Sequence, residues 1–214
     1  MAVHANDSAA TAEGQAQPMT GFVTSNDGTR IGYRQQGHGA GLVLVQGTMG
    51  TAQHFSELAG ALAAHFTVYL PDRRGRGMSE AGGGSYSTQK EIEDLDALLS
   101  KTGAPFVFGL SSGAIITLQA ALTLKSIQKF AIFEPPLFLN GAPTEAIKRV
   151  EREMAEGRLA AAAVTAMQAA QMGPPIFNRI PRGLLERMVK MGMAQEDRKG
   201  EGVYPTMRTL TRTT

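Results

Sequence analysis

Three short, continuously apolar runs separated by stretches with helical periodicity constrain this chain more than any other feature. GLVLV (Gly41 to Val45), FTVYL (Phe66 to Leu70) and PFVFGL (Pro105 to Leu110) do not alternate apolar with polar residues. That is the pattern of strands covered on both faces. Between the first two, Phe55, Leu58, Ala59 and Leu62 recur at helical spacing, which predicts a helix from His54 to Ala64. Between the second and third, Ile92, Leu95, Leu98 and Leu99 form one apolar face and predict a helix from Thr88 to Ser100. Thr88 and Glu91 have the spacing of a capping box, and Gly103 supplies a stop. A further helix is predicted from Ser112 to about Leu124, then a fourth short strand from Phe130 to Phe133 (FAIF). Strands that alternate with helices form crossover units and a mostly parallel sheet.

A hairpin precedes this alternation. GFVTS and RIGYR flank Asn26-Asp27-Gly28, a strong turn signal between β-rich runs. After Pro135-Pro136 the pattern changes. Thr144 to about Gln171 is Ala-rich and predicted helical, and Gly173 to Thr214 is interrupted by Pro and Gly. The expected organisation is a disordered tail over 1–20, an α/β core over 21–138, and a helical cap with an incomplete C-terminal segment over 139–214.

Composition narrows the chemistry. With 214 residues and 43% hydrophobic content, one well-filled domain is expected. No Cys is present, which excludes disulfides, thiolate metal sites and a Cys nucleophile. A formal net charge of +2 gives no reason to expect a nucleic-acid partner. From Arg179 onward eight Lys or Arg face four Asp or Glu, without interleaved aromatics, which predicts a solvated surface. No apolar run approaches the roughly 20 residues of a membrane span. The first 20 residues hold neither Lys nor Arg, so they match no basic targeting signal, and a cytoplasmic location is expected.

The chemistry-bearing signal is Gly109-Leu110-Ser111-Ser112-Gly113, a G-x-S-x-G that follows a predicted buried strand and opens a predicted helix. A strand that turns at once into a helix forces its central residue into a strained conformation and exposes that side chain. Small residues two before and two after let the backbones pass. The motif is similar to a known nucleophile elbow, and that resemblance makes Ser111 the candidate nucleophile. Gln46-Gly47-Thr48-Met49-Gly50, after GLVLV, is a Gly-rich loop able to point a backbone N–H at the same place. The amides of Thr48 and Ser112 are the candidate oxyanion donors, with Met49 and His54 lining the pocket. In Pro71 to Ser79 (PDRRGRGMS), Asp72 is expected to satisfy loop amides.

These three motifs, in this order, resemble the first half of an α/β-hydrolase. D-R-R-G-R-G-x-S is similar to that family's D-x-R-G-x-G-x-S loop, with Arg76 where His is frequent. Q-G-T is similar to its H-G-x loop, with Gln46 replacing His. Phe133-Glu134-Pro135-Pro136 looks like the end of its sixth strand. The resemblance implies a mostly parallel, doubly wound sheet with a helical cap. It also implies a serine hydrolase that cleaves a carboxylic ester, lactone or similar acyl bond, with no cofactor. Glu134 matches a position at which some members carry the triad acid; a carboxylate bonding the cap loop is the alternative. The family's His follows the nucleophile in the chain, whereas His4, His38, His54 and His65 all precede Ser111. The expectation is a hydrolase sequence lacking its C-terminal strands, with impaired turnover and with FAIF as an exposed edge prone to self-association. The partner expected is a small acyl substrate, with neither nucleic acid nor membrane. A non-catalytic small-molecule-binding or interaction protein on the same fold is the second reading.

Overall fold

The computed structural model describes residues 18–48, 50–137, 141, 143–170, 176 and 179–199. Met49, the first 17 residues and the last 15 lie outside the described residues.

The predicted hairpin is present. Strands β1 (Met19–Thr24) and β2 (Arg30–Gly37) pair antiparallel, with Phe22 opposite Gly32. The turn between them holds Gly28 at φ 84°, and Asp27 Oδ1 accepts from Thr29 N at 3.0 Å. The apolar runs become β3 (Ala40–Val45), β4 (Phe66–Pro71) and β5 (Phe106–Leu110), and FAIF becomes β6 (Lys129–Phe133). The sheet order is β1-β2-β4-β3-β5-β6. β2 is antiparallel to β4, while β4, β3, β5 and β6 run parallel. The strand that leads into Ser111 is thus internal, between β3 and β6.

Both faces of the central strands are covered. Successive side chains of a strand point to opposite faces, and β3 shows it. Val43 and Val45 pack with Leu95, Leu98 and Leu99 of α2 (Thr88–Thr102) and Ile116 of α3 (Ser112–Thr123). Leu44 packs on the other face with Val68, Leu70 and Ala59 of α1 (Ser56–Leu62). A 3-10 turn, Ala52–Phe55, leads into α1. The expectation of a doubly wound, mostly parallel sheet holds.

Three local expectations are corrected. The N-cap of α2 is Ser87, whose side chain accepts from Lys90 N at 3.3 Å, rather than Thr88. Glu91 forms no capping box, because its carboxylate is drawn into the protein by Arg73. The Ala-rich stretch is two helices, α4 (Thr144–Ala155) and α5 (Leu159–Ala169), broken where Gly157 adopts φ 69°. The Pro- and Gly-interrupted remainder also contains α6 (Arg182–Lys199).

These three helices join through one buried carboxylate. Glu153 accepts from Arg149 Nε, Arg182 Nη2 and Thr165 Oγ1 at 2.9, 2.8 and 2.6 Å. Burial pushes its pKa up, but the Thr165 and Arg149 hydrogen bonds and the Arg182 charge outweigh that and hold it below the ordinary range. Part of the basic C-terminal surface is therefore structural. No helix among the described residues is long and apolar enough to cross a membrane.

Candidate active site

The G-x-S-x-G segment sits where β5 meets α3, and the sterics expected of it are present. Ser111 has φ 54° and ψ −119°, a left-handed conformation that costs a non-Gly residue about 1–3 kcal/mol. It is held there from both sides. Ser111 N donates to Phe133 O at 2.9 Å, which ties the end of β5 to β6, and Ala114 N donates to Ser111 O at 2.9 Å. The two glycines are required by contact. A Cβ at Gly109 would stand 2.5 Å from Gly113 O and from Thr117 Oγ1. A Cβ at Gly113 would overlap Val45 O and stand 2.7 Å from Gln46 O, both backbone atoms of the neighbouring segment.

The Gly-rich loop after β3 lies against the serine. A Cβ on Gly47 would be 3.2 Å from Ser111 Cβ and 3.7 Å from Ser111 Oγ, so even a methyl group there would press on the serine side chain. Gly50 N donates to Gly47 O at 3.1 Å and closes the loop into a turn. Neither Thr48 N–H nor Ser112 N–H has an acceptor among the described residues. At Ser112 this is the ordinary state of a first helical residue. Met49, expected to line the pocket, lies outside the described residues.

Asp72 does what was expected of it. Fully buried, it accepts from Ala52 N at 3.0 Å, Met78 N at 3.1 Å and Arg34 Nη1 at 2.9 Å. One carboxylate thereby joins the first helical turn, its own loop and β2.

Sequence reasoning missed the arginines beside it. Arg73 is buried and forms a multiple hydrogen-bonded ion pair with Glu91, its Nη2 reaching Oε1 at 2.6 Å. Its Nη1 donates to Gln46 O at 3.1 Å and to Ser112 Oγ at 2.9 Å. Arg74 pairs in the same way with Asp94, Nη2 to Oδ1 at 2.6 Å. Arg76 is also buried but has no ion-pair partner among the described residues. Its Nη1 donates to Gly47 O at 3.0 Å and Gly50 O at 3.2 Å, and its Nε is unpaired. Burial, and then the charge of Arg73, push its pKa down to about 10. Gln46, where the resembling family has His, donates from Nε2 to Pro71 O at 2.8 Å. A readable signal did exist. Glu91 and Asp94 fall on the same helix face as Ile92, Leu95 and Leu98, and carboxylates on an apolar stripe need buried cations.

His54 and Glu134 were the other candidates. His54 is exposed, and its Nδ1 accepts from Thr51 N at 3.0 Å, capping the 3-10 turn. Glu134 follows β6 at φ 48° and is exposed; it shares with Ser111 the distinction of being a non-Gly residue at positive φ among the described residues.

Known proteins share this fold. Residues 38–212 match the model of a family described as the alpha/beta hydrolase family. The chain is similar to a solved structure of an alpha/beta hydrolase from Sphaerobacter thermophilus DSM 20745, with TM-score 0.69 and 35% identity. That match covers 90% of this chain and 70% of the other. It is 33% identical over 131 residues to the uncharacterized hydrolase YraK of Bacillus subtilis (strain 168), covering 59% of this chain. It is 30% identical over 128 residues to an N-formylmaleamate deformylase of Pseudomonas putida, covering 56% of this chain. The chain spans about half the length of these two curated relatives, 48% in each case.

Proposed function

The chain belongs to the α/β-hydrolase family, and from that premise we propose that it cleaves a carboxylic ester, lactone or similar acyl bond through a Ser111 acyl-enzyme. The observation that carries this reading is Ser111 itself. A strained serine stands at the β5–α3 junction, in contact with the Gly47 loop, with two N–H groups on the flanking segments that have no acceptor among the described residues. Ser111 Oγ attacks the substrate carbonyl, and the oxygen of the tetrahedral adduct takes its charge between Thr48 N–H and Ser112 N–H. Collapse expels the leaving group, which takes up the proton given up by the Ser111 hydroxyl; water then attacks the acyl-enzyme, releases the acid and returns a proton to Ser111 Oγ. The field at the α3 N-terminus favours the same anion.

Glu134 is the acid of this reading, by its position after β6. Every His precedes Ser111, and His54 Nδ1 is engaged by Thr51 N–H. Likeness to a deformylase supports including acyl carbon–nitrogen bonds in the substrate class. A non-catalytic small-molecule-binding role is the second reading, favoured by the engagement of His54. Hydrolysis of p-nitrophenyl acetate and of a short N-formyl amide by the wild type and by Ser111→Ala separates the two. The acyl-enzyme reading predicts a rate for the wild type that Ser111→Ala abolishes, and equal rates contradict it.

A further inference from the structure

We propose that Arg73 and Arg76 are positioning residues that aim the N–H groups of the Gly47 loop at Ser111. The proposal rests on the Ser111 reading above and adds a cause for its geometry. In a planar trans peptide the C=O of one residue and the N–H of the next point in opposite directions. Arg76 Nη1 holds Gly47 O at 3.0 Å, so Thr48 N–H is turned away from the guanidinium. Arg73 Nη1 holds Gln46 O at 3.1 Å, which fixes the preceding peptide and hence Gly47 N–H. The same Arg73 nitrogen donates to Ser112 Oγ at 2.9 Å. One nitrogen therefore joins the two segments whose amides would share the oxyanion.

The charge state of the two arginines argues for a role beyond packing. Arg73 is neutralised by Glu91, so its loop contacts come with a compensated charge. Arg76 is 4% exposed, has no carboxylate partner among the described residues, and leaves its Nε unpaired. A buried cation in that state opposes folding. Its hydrogen bonds go to the carbonyls of the loop that touches Ser111. Stability is given up where the proposed chemistry needs a fixed backbone.

Two variants test the clamp. Arg76→Met removes a cation that has no carboxylate partner among the described residues, so its melting temperature is expected within about 4 °C of the wild type. Arg73→Met/Glu91→Leu removes both members of a buried pair and leaves no orphan charge. In both, hydrogen exchange of peptide 46–51 is expected to quicken while the β3 and β5 cores exchange as before. The maximal rate of fluorophosphonate inactivation is expected to fall by about 10- to 100-fold with the reagent's binding constant unchanged. Unchanged exchange at 46–51 in both variants overturns the clamp, as does faster exchange spread evenly over the whole chain. A wild type that takes no label sinks the Ser111 reading instead. The exchange at 46–51 then decides the clamp by itself.

Discussion

Glu91→Gln is expected to destabilise the folded chain by about 3–5 kcal/mol, the range for breaking a buried ion pair by removing one partner. The substitution is nearly isosteric, so it leaves no cavity. Glu91 and Arg73 have side chains 3% and 4% exposed, and three Arg73–Glu91 contacts of 2.6 to 3.1 Å join them. An amide carries no charge, and its NH2 end presents donors to the guanidinium, so Arg73 would be left buried and uncompensated. Burial pushes the Glu91 pKa up, but the Arg73 hydrogen bonds and charge outweigh it and hold the carboxyl below its ordinary value of 4.5. The sign follows. The contribution is complete above the unfolded value and is lost as pH falls through the folded one. Urea midpoints of wild type and variant should therefore differ most near neutral pH and converge in acid. A difference at neutral pH below about 1 kcal/mol would place this pair among exposed ones.

Gly113→Ala is the second large effect. The added Cβ would overlap Val45 O and crowd Gln46 O and Val45 C, all backbone, so no side-chain rotation relieves it. Helix α3 must lift from β3, and Ser111 moves with it. A loss of about 1–3 kcal/mol is expected, the cost of overpacking, together with a marked fall in Ser111 reactivity. Gly192→Ala is the control. Gly192 lies in α6 with nothing among the described residues within 4 Å of its would-be Cβ, so the change is expected to stabilise by about 1 kcal/mol. Thermal denaturation of the three proteins checks the order. Equal melting temperatures for Gly113→Ala and the wild type would refute the close contact.

The architecture was legible where burial is two-sided. β3, β4 and β5 are apolar throughout because helices cover both faces, and such runs stand out without any alternation. β6 was legible as a strand too. Its position at the sheet edge shows in Phe130 and Phe133, which are 47% and 55% exposed. The motif around Ser111 was legible in part because the Gly109 constraint is local, against Gly113, Ala114 and Thr117, whereas Gly113 is set by Val45 and Gln46 of the neighbouring segment. Helix ends were less so. Ser87 and Thr88 are chemically alike as caps, and the break at Gly157 depends on one left-handed residue within an Ala-rich run.

The support behind the site was least legible. Arg73 reaches Glu91, Gln46 and Ser112 across 18, 27 and 39 residues of chain. No local pattern encodes partners so far apart. Only Asp72 of this loop carried an expectation, and the loop's arginines are buried guanidiniums that reach both the sheet ends and α2. His54 illustrates the converse. Its place beside the Gly-rich loop suggested the pocket, while its Nδ1 is used by the nearest backbone amide. That competition between local and distant partners is invisible to spacing alone.

Covalent labelling by a fluorophosphonate, with the modified residue located by peptide mass spectrometry, tests the central claim most directly. The account predicts a single adduct on the peptide carrying Ser111, absent from Ser111→Ala and from denatured wild type. A folded, soluble wild type that remains unlabelled, or that is labelled at another serine, would contradict it.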